Sequence, residues 1–173
     1  MKKAKKLKAL VLIDGSNTYF AQKLTGKWLD WVRVKKYLES IYKISEFRYY
    51  LSYRPNDQRT AKFILKLKRI GFTLVTKPIK IIIDQTGARR EKANFDVEIT
   101  ADALLSLKKY TSLILFSGDS DFLYLRNILM KNKKKVEVFS TRKTLAWELK
   151  LKVKYYFFED IRDLTKEKDF DKL

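Results

Sequence analysis

Apolar residues along the chain follow two patterns: short unbroken runs of branched residues, and longer stretches with apolar positions three and four apart. The two alternate from one end to the other. Ala9 to Ile13 is such a run and reads as a strand buried on both faces, ending at Asp14-Gly15-Ser16-Asn17. Tyr19 to Leu24 reads as a short helix halted near Gly26. Within Asp30 to Tyr42, residues Trp31, Val34, Leu38 and Ile41 recur at helical spacing, and Asp30 is placed to cap the first turn. Phe47 to Tyr53 predicts a second strand. Pro55-Asn56-Asp57 opens a helix that continues to Ile70, with Gly71 beyond its end, and Phe72 to Thr76 predicts a third strand.

The second half repeats the alternation. Ile79 to Ile83 and Ala88 to Lys92 flank Asp84-Gln85-Thr86-Gly87 and predict an exposed hairpin or mobile loop. Asn94 is placed to cap a helix running to about Lys109. Thr111 to Phe116 is a strong strand that ends at Ser117-Gly118-Asp119-Ser120-Asp121. A helix over Phe122 to Met130, a strand over Val136 to Phe139, a helix over Thr141 to Leu151 and a strand over Tyr155 to Phe158 complete the pattern. Strands alternating with helices predict an α/β fold, a mainly parallel sheet with helices on both faces. No repeat or linker interrupts the chain. One domain over residues 1–165 is expected, with 166–173 as a charged tail and the chain after Asp163 fraying.

Composition narrows the chemistry. The 173 residues are 46% hydrophobic, enough for a packed core. They carry 39 Lys and Arg against 20 Asp and Glu, a net charge of +19. That balance suggests a polyanionic partner, nucleic acid before an anionic membrane surface. There is no cysteine and no histidine, which excludes thiolate zinc sites, Cys nucleophiles, Ser-His-Asp triads and histidine general bases. Carboxylates without soft ligands suit Mg²⁺ or Mn²⁺. The apolar run from Leu10 to Ile13 is too short for a signal peptide, and no stretch approaches the roughly 20 apolar residues of a membrane span. A cytoplasmic protein that does not enter a membrane is expected.

Ligands of open α/β sheets bind beyond the carboxyl ends of the strands. Asp14 follows the first strand there, Asp119 and Asp121 follow the strong central strand, and Asp96 lies in the first turn of the preceding helix. Each alone is equally read as a cap or a turn former. Together they read as one site, which needs a divalent cation to balance its charge. Asp102 lies about 240° around the helix from Asp96, either approaching the site or exposed. Asn17 either orients a carboxylate or a water, or caps the following helix. Arg89, Arg90 and Lys92 precede the Asp96 helix, where they would reach substrate phosphates or form a solvated loop. Tyr49, Tyr50, Trp28 and Trp31 either stack on bases or belong to the core.

Val11-Leu12-Ile13-Asp14-Gly15-Ser16-Asn17 resembles the opening motif of NYN domains. Lys92-Ala93-Asn94-Phe95-Asp96-Val97, running on to Asp102-Ala103-Leu104, resembles their second motif, and Phe116-Ser117-Gly118-Asp119-Ser120-Asp121-Phe122 their third. Lys135-Val136-Glu137-Val138 follows as the family's next strand does, and the likeness covers about residues 8–160. Phe95 stands where a smaller apolar residue is commoner. The resemblance implies a Rossmann-like α/β/α sandwich of the PIN-like superfamily and a ribonuclease site dependent on Mg²⁺ or Mn²⁺. It implies that Asp14, Asp96, Asp119 and Asp121 are metal ligands or position the attacking water. Asn17 would support them from the first loop, Asp102 matches a further family acid, and Lys92 would contact phosphate. The expectation is a metal-dependent endoribonuclease acting on single-stranded or structured RNA. The competing reading is an RNA-binding regulatory module without significant catalysis. Aromatic surface around Trp28 and Trp31 would permit a homodimer.

Overall fold

The computed structural model describes residues 6–83, 87 and 89–167. Strand β1 (Lys8–Asp14) passes without a loop into α1 (Gly15–Thr25), because the Asp14 side chain accepts from the Asn17 N–H and caps the helix. The expected start at Tyr19 is therefore four residues late. The buried side of α1 is Gly15, Thr18, Ala21 and Gln22, a face with no hydrophobic signature. Its polar members are satisfied: Gln22 Nε2 donates to the Thr18 carbonyl at 3.0 Å, and Gln22 Oε1 accepts from the Leu29 N–H at 2.7 Å.

Next come β2 (Lys27–Leu29), α2 (Trp31–Ile41), β3 (Lys43–Tyr53), α3 (Gln58–Arg69) and β4 (Thr73–Pro78). Asp30 and Asp57 cap α2 and α3 through their carboxylates, as their positions in the sequence suggested for Asp30. A hairpin of β5 (Lys80–Ile83) and β6 (Arg89–Lys92) follows; its expected turn at Asp84-Gln85-Thr86 lies outside the described residues. Then come α4 (Asp96–Leu105), β7 (Ser112–Phe116), α5 (Leu123–Lys131), β8 (Lys135–Ser140), α6 (Trp147–Lys150), β9 (Lys154–Phe157) and β10 (Thr165–Glu167).

Three expectations are corrected here. The helix expected from Thr141 is only α6, because Ser140, Thr141 and Thr144 join their hydroxyls at 2.7–3.1 Å and hold a turn instead. The helix expected to reach Lys109 ends at Leu105 and gives way to a short 3-10 turn over Leu107–Lys109. The chain after Asp163 does not simply fray: Thr165–Glu167 pairs antiparallel with β2.

Six strands form one sheet in the order β4-β3-β1-β7-β8-β9, with every neighbouring pair parallel. The fold is α/β, with helices flanking this central sheet. Successive residues of β1 point to opposite faces. Ala9, Val11 and Ile13 pack with Trp31, Val34, Leu38 and Leu67, whereas Leu10 and Leu12 pack with Ile99, Ala103, Leu125 and Leu129. The sheet is thus covered on both sides, α1 to α3 on one and α4 to α6 on the other. From β1 the chain first builds outward through β3 to β4, then returns to build outward from β7. The order reverses between β1 and β7, and that reversal opens a crevice at their carboxyl ends.

Trp31 is core, with ring centroids 5.1 Å from Tyr49 and 5.8 Å from Phe116, so it offers no dimer face. Tyr49 and Tyr50 are likewise buried and present no stacking surface. Trp28 stays half-buried, edge-on to the exposed Tyr19 at 5.8 Å.

Candidate metal centre

Strand β1 delivers Asp14 to the crevice from one side, and β7 delivers Ser117-Gly118-Asp119 from the other. The two loops are tied together directly. Asn17 Oδ1 accepts from the Gly118 N–H at 2.9 Å, and Ser117 Oγ donates to Asp14 Oδ2 at 3.4 Å. Asn17 therefore neither caps α1 nor turns its carbonyl to the acids; it fixes the height of the second loop against the first. Asp119 accepts from the Asp121 N–H at 3.0 Å, which folds Ser120–Phe122 into a 3-10 turn and brings Asp121 round beside it.

Asp96 arrives from the opposite wall at the start of α4. Asn94 holds it twice: Asn94 Oδ1 accepts from the Asp96 N–H at 2.7 Å, and Asn94 Nδ2 donates to Asp96 Oδ2 at 2.6 Å. The N-cap of α4 is Phe95, without a side-chain cap, so Asn94 is not the cap expected of it; it aims the Asp96 carboxylate instead. Beneath it Phe95 is buried against Tyr50, ring centroids 5.8 Å apart, which anchors the start of the helix. The outcome is that one carboxylate oxygen each from Asp96, Asp119 and Asp121 lies within 4.8 Å of the others. Asp14 stands behind this trio, buried, and feels the charge of Asp96 and Asp119.

Among the described residues no Lys or Arg pairs with any of these four acids. Their electrostatics show the strain of that. Burial, reinforced by the Asp96 and Asp119 charges and opposed by the Asn17 and Ser117 hydrogen bonds, pushes the Asp14 carboxyl up to about 6. Asp96 is raised too, by burial first and by Asp119 and Asp121 next, against the Asn94 hydrogen bond. Hard oxygen donors converging with no paired Lys or Arg among the described residues fit Mg²⁺ or Mn²⁺.

A pH dependence follows. A carboxyl whose folded pKa lies above its unfolded value near 3.8 favours the folded state at low pH and loses that advantage as pH rises through about 6. For Asp14 the loss amounts to about 3 kcal/mol, at about 1.4 kcal/mol for each tenfold change in proton affinity. Metal-free protein is therefore expected to lose stability between pH 4 and pH 7 from this group, and Mn²⁺ to restore it at pH 7. Denaturant midpoints measured across that range, with EDTA or with Mn²⁺, check this; curves that coincide at pH 7 would refute it.

Asp102 is not brought into the trio. Its Oδ2 accepts from Tyr50 Oη at 2.7 Å and pairs with Arg48 Nη1 at 2.8 Å, while Arg48 also grips Glu46 at 2.8 Å. This network ties α4 to β3. Asp102→Ala is expected to cost roughly 1–3 kcal/mol, leaving Tyr50 without its carboxylate and Arg48 with Glu46 alone, while Mn²⁺ affinity stays within about 2-fold. Calorimetric titration alongside denaturation separates the two effects.

Arg89, Arg90 and Lys92, expected to reach phosphate, lie in β6, and their side chains are outside what the structure describes. A basic residue that the sequence pattern did not single out is Lys77, at the carboxyl end of β4. Its Nζ donates to the Asn94 carbonyl and, at 2.6 Å, to Glu98, and lies 4.3 Å from the Phe95 ring centroid. The same strand-end rule that selected Asp14 would have found it. Ser117 also escaped notice, because a lone serine in a loop carries no pattern.

Residues 8–161 match the family model of the NYN domain. The chain is 31% identical over 163 residues to the low amplitude and bright protein LabA of Synechococcus elongatus, covering 91% of this chain and 87% of that protein. The crystal structure of a protein of unknown function from Vibrio parahaemolyticus superposes with a TM-score of 0.78, covering 96% of this chain and all of that one at 24% identity. That likeness speaks for the fold alone. Among the described residues no helix is long and apolar enough to cross a membrane.

Proposed function

The chain belongs to the NYN domain family, a nuclease-like family, and from that premise we propose that it is a metal-dependent endoribonuclease hydrolysing RNA phosphodiester bonds at the aspartate cluster. The observation that carries the reading is the convergence of Asp96, Asp119 and Asp121 to within 4.8 Å, with buried Asp14 behind them and no cation of the chain to neutralise them among the described residues. A bound Mg²⁺ or Mn²⁺ would supply Lewis acidity and a water of lowered pKa for attack at phosphorus. Asp96, Asp119 and Asp121 would hold it, and Asp14 would either complete the set or orient that water.

The remaining residues position and neutralise. Asn17 and Ser117 keep the two loops at fixed height, so the carboxylates meet the substrate preorganised. Asn94 fixes the Asp96 carboxylate in one orientation. Lys77 sits where it would meet a strand crossing the crevice, and Arg89, Arg90 and Lys92 follow on the hairpin. The net charge of +19 draws the polyanion toward an otherwise repellent acidic crevice.

The test is incubation of the protein with labelled single-stranded RNA in Mg²⁺ or Mn²⁺, with an EDTA arm and a single-stranded DNA arm. Metal-dependent internal cleavage of RNA supports the proposal. Salt-sensitive RNA binding without turnover in either metal would instead support a binding module without catalysis. Cleavage undiminished in EDTA would remove the metal from the chemistry.

A further inference from the structure

A second concave region lies at the opposite end of the sheet from the aspartates. It is a cleft of about 540 Å³ at the amino ends of β8 and β9, beneath the end of α2. Five cations line it: Lys6, Arg126, Lys135, Lys152 and Lys154. The sole acid on its wall among the described residues is Glu137, which is buried and already occupied. Its carboxylate accepts from Tyr42 Oη at 2.9 Å and Tyr156 Oη at 3.0 Å, and Lys154 stands 3.6 Å away. Arg126 Nη2 donates to the Lys152 carbonyl at 2.7 Å, which holds the guanidinium at the cleft. Lys135 and Lys152 are exposed and pair with no carboxylate among the described residues. The floor between these charges is apolar, from Ile41, Met130 and Val153.

Concave, cationic and apolar-floored, such a surface suits a ligand whose anionic groups are strung along a chain with flat apolar faces between them. A ring of cations around one pre-neutralised carboxylate has no use for a metal, and its charge repels a basic peptide. The six residues of β8 span roughly 20 Å and link the cleft at Lys135 to Ser140, which packs beside Gly118 at the acidic crevice.

We propose that this cleft is a second nucleic-acid subsite, holding the phosphate backbone of a single strand about one sheet-strand length from the aspartates. It rests on the reading of the chain as a protein that acts on nucleic acid, but not on hydrolysis. A strand long enough to reach both places gains affinity from the cleft, and a short one does not.

The test measures fluorescence anisotropy of labelled single-stranded RNA in EDTA, so that no cleavage enters. Oligonucleotides of about 30 and about 5 nucleotides bracket the size of a single binding surface. Lys135→Gln/Lys152→Gln is compared with a control, Lys62→Gln/Lys66→Gln, which removes the same charge from the exposed side of α3. The cleft pair is expected to weaken binding of the long RNA about 10-fold and to lower the salt slope by about 1.4, roughly 0.7 for each phosphate left unneutralised. The control pair and the short RNA are expected to change by less than about 2-fold. An equal loss in both variants would overturn the proposal in favour of diffuse charge. Millimolar AMP binding to the wild type and abolished in the cleft pair, with long-RNA binding unchanged, would overturn it in favour of a free nucleotide. Because no turnover is read, failure here leaves hydrolysis standing, and absence of hydrolysis leaves the binding result standing.

Discussion

Replacing Asp119 with Asn is expected to reduce metal-dependent RNA cleavage by more than about 100-fold while leaving the fold intact. Groups that merely support a metal ligand are worth roughly 10–100-fold, so removing a ligand's charge should exceed that range. The substitution is close to isosteric, and its amide oxygen can still accept the Asp121 N–H that closes the 3-10 turn over Ser120–Phe122. The local backbone therefore has no reason to move. Stability in EDTA should stay the same or rise, because one of the charges that raises Asp14 and Asp96 has gone. Cleavage rates with Mn²⁺ and denaturant midpoints without it, measured on the same preparations, check both halves. Activity within a few fold of wild type would remove Asp119 from the chemistry. A collapse of stability would show that the aspartate is there for the turn.

The largest structural effect is expected at Gly118. A Cβ there would lie 2.2 Å from the Thr144 carbonyl oxygen and 2.7 Å from Ser140 Oγ. The nearest of these is backbone, fixed by the hydroxyl-held turn between β8 and α6, and cannot swing aside. Gly118 is also bonded on both sides, through its N–H to Asn17 and through its carbonyl to the Ala146 N–H at 2.9 Å. Gly118→Ala must therefore push the Ser117–Asp121 loop away from β8 and stretch both bonds. A loss of roughly 3 kcal/mol is expected, at the upper end of ordinary overpacking. Mn²⁺ affinity should fall with it, since Asp119 and Asp121 ride on the displaced loop. Gly26→Ala is the contrast: its φ of 71° strains an alanine, but nothing lies within 4 Å, so about 1 kcal/mol and no change in metal affinity are expected. Chemical denaturation and calorimetric Mn²⁺ titration of both variants give the comparison. Equal effects from the two would mean that the close approach at Gly118 has no role.

The same residues show what a sequence can and cannot disclose. The parallel α/β architecture was legible because Ala9–Ile13 and Leu113–Phe116 are buried on both faces and must be apolar throughout. The acids at the ends of those strands were legible through position alone, since the strand-end rule needs only the element order. Helix α1 reads short in the sequence because its buried face is built from Gly, Thr, Ala and Gln, whose fit depends on hydrogen bonds formed only in the fold. The turn over Thr141–Thr144 reads as helix because hydroxyl-to-hydroxyl bonds leave no trace in hydrophobic spacing. Asp102 and Asp96 look alike in sequence, two acids on one helix. Only the long-range partners Arg48 and Tyr50 on one side, and Asp119 and Asp121 on the other, separate them. Asn17 shows the same limit, because its partner lies 101 residues away.

Everything proposed for the crevice depends on whether a divalent ion sits among its carboxylates. Crystals grown with Mn²⁺, with data collected where manganese scatters anomalously, measure this directly. The expected result is an anomalous peak between the Asp96, Asp119 and Asp121 carboxylates, within coordination distance of their oxygens, with Asp14 alongside. Manganese bound elsewhere on the protein, with those three carboxylates carrying none, would contradict it.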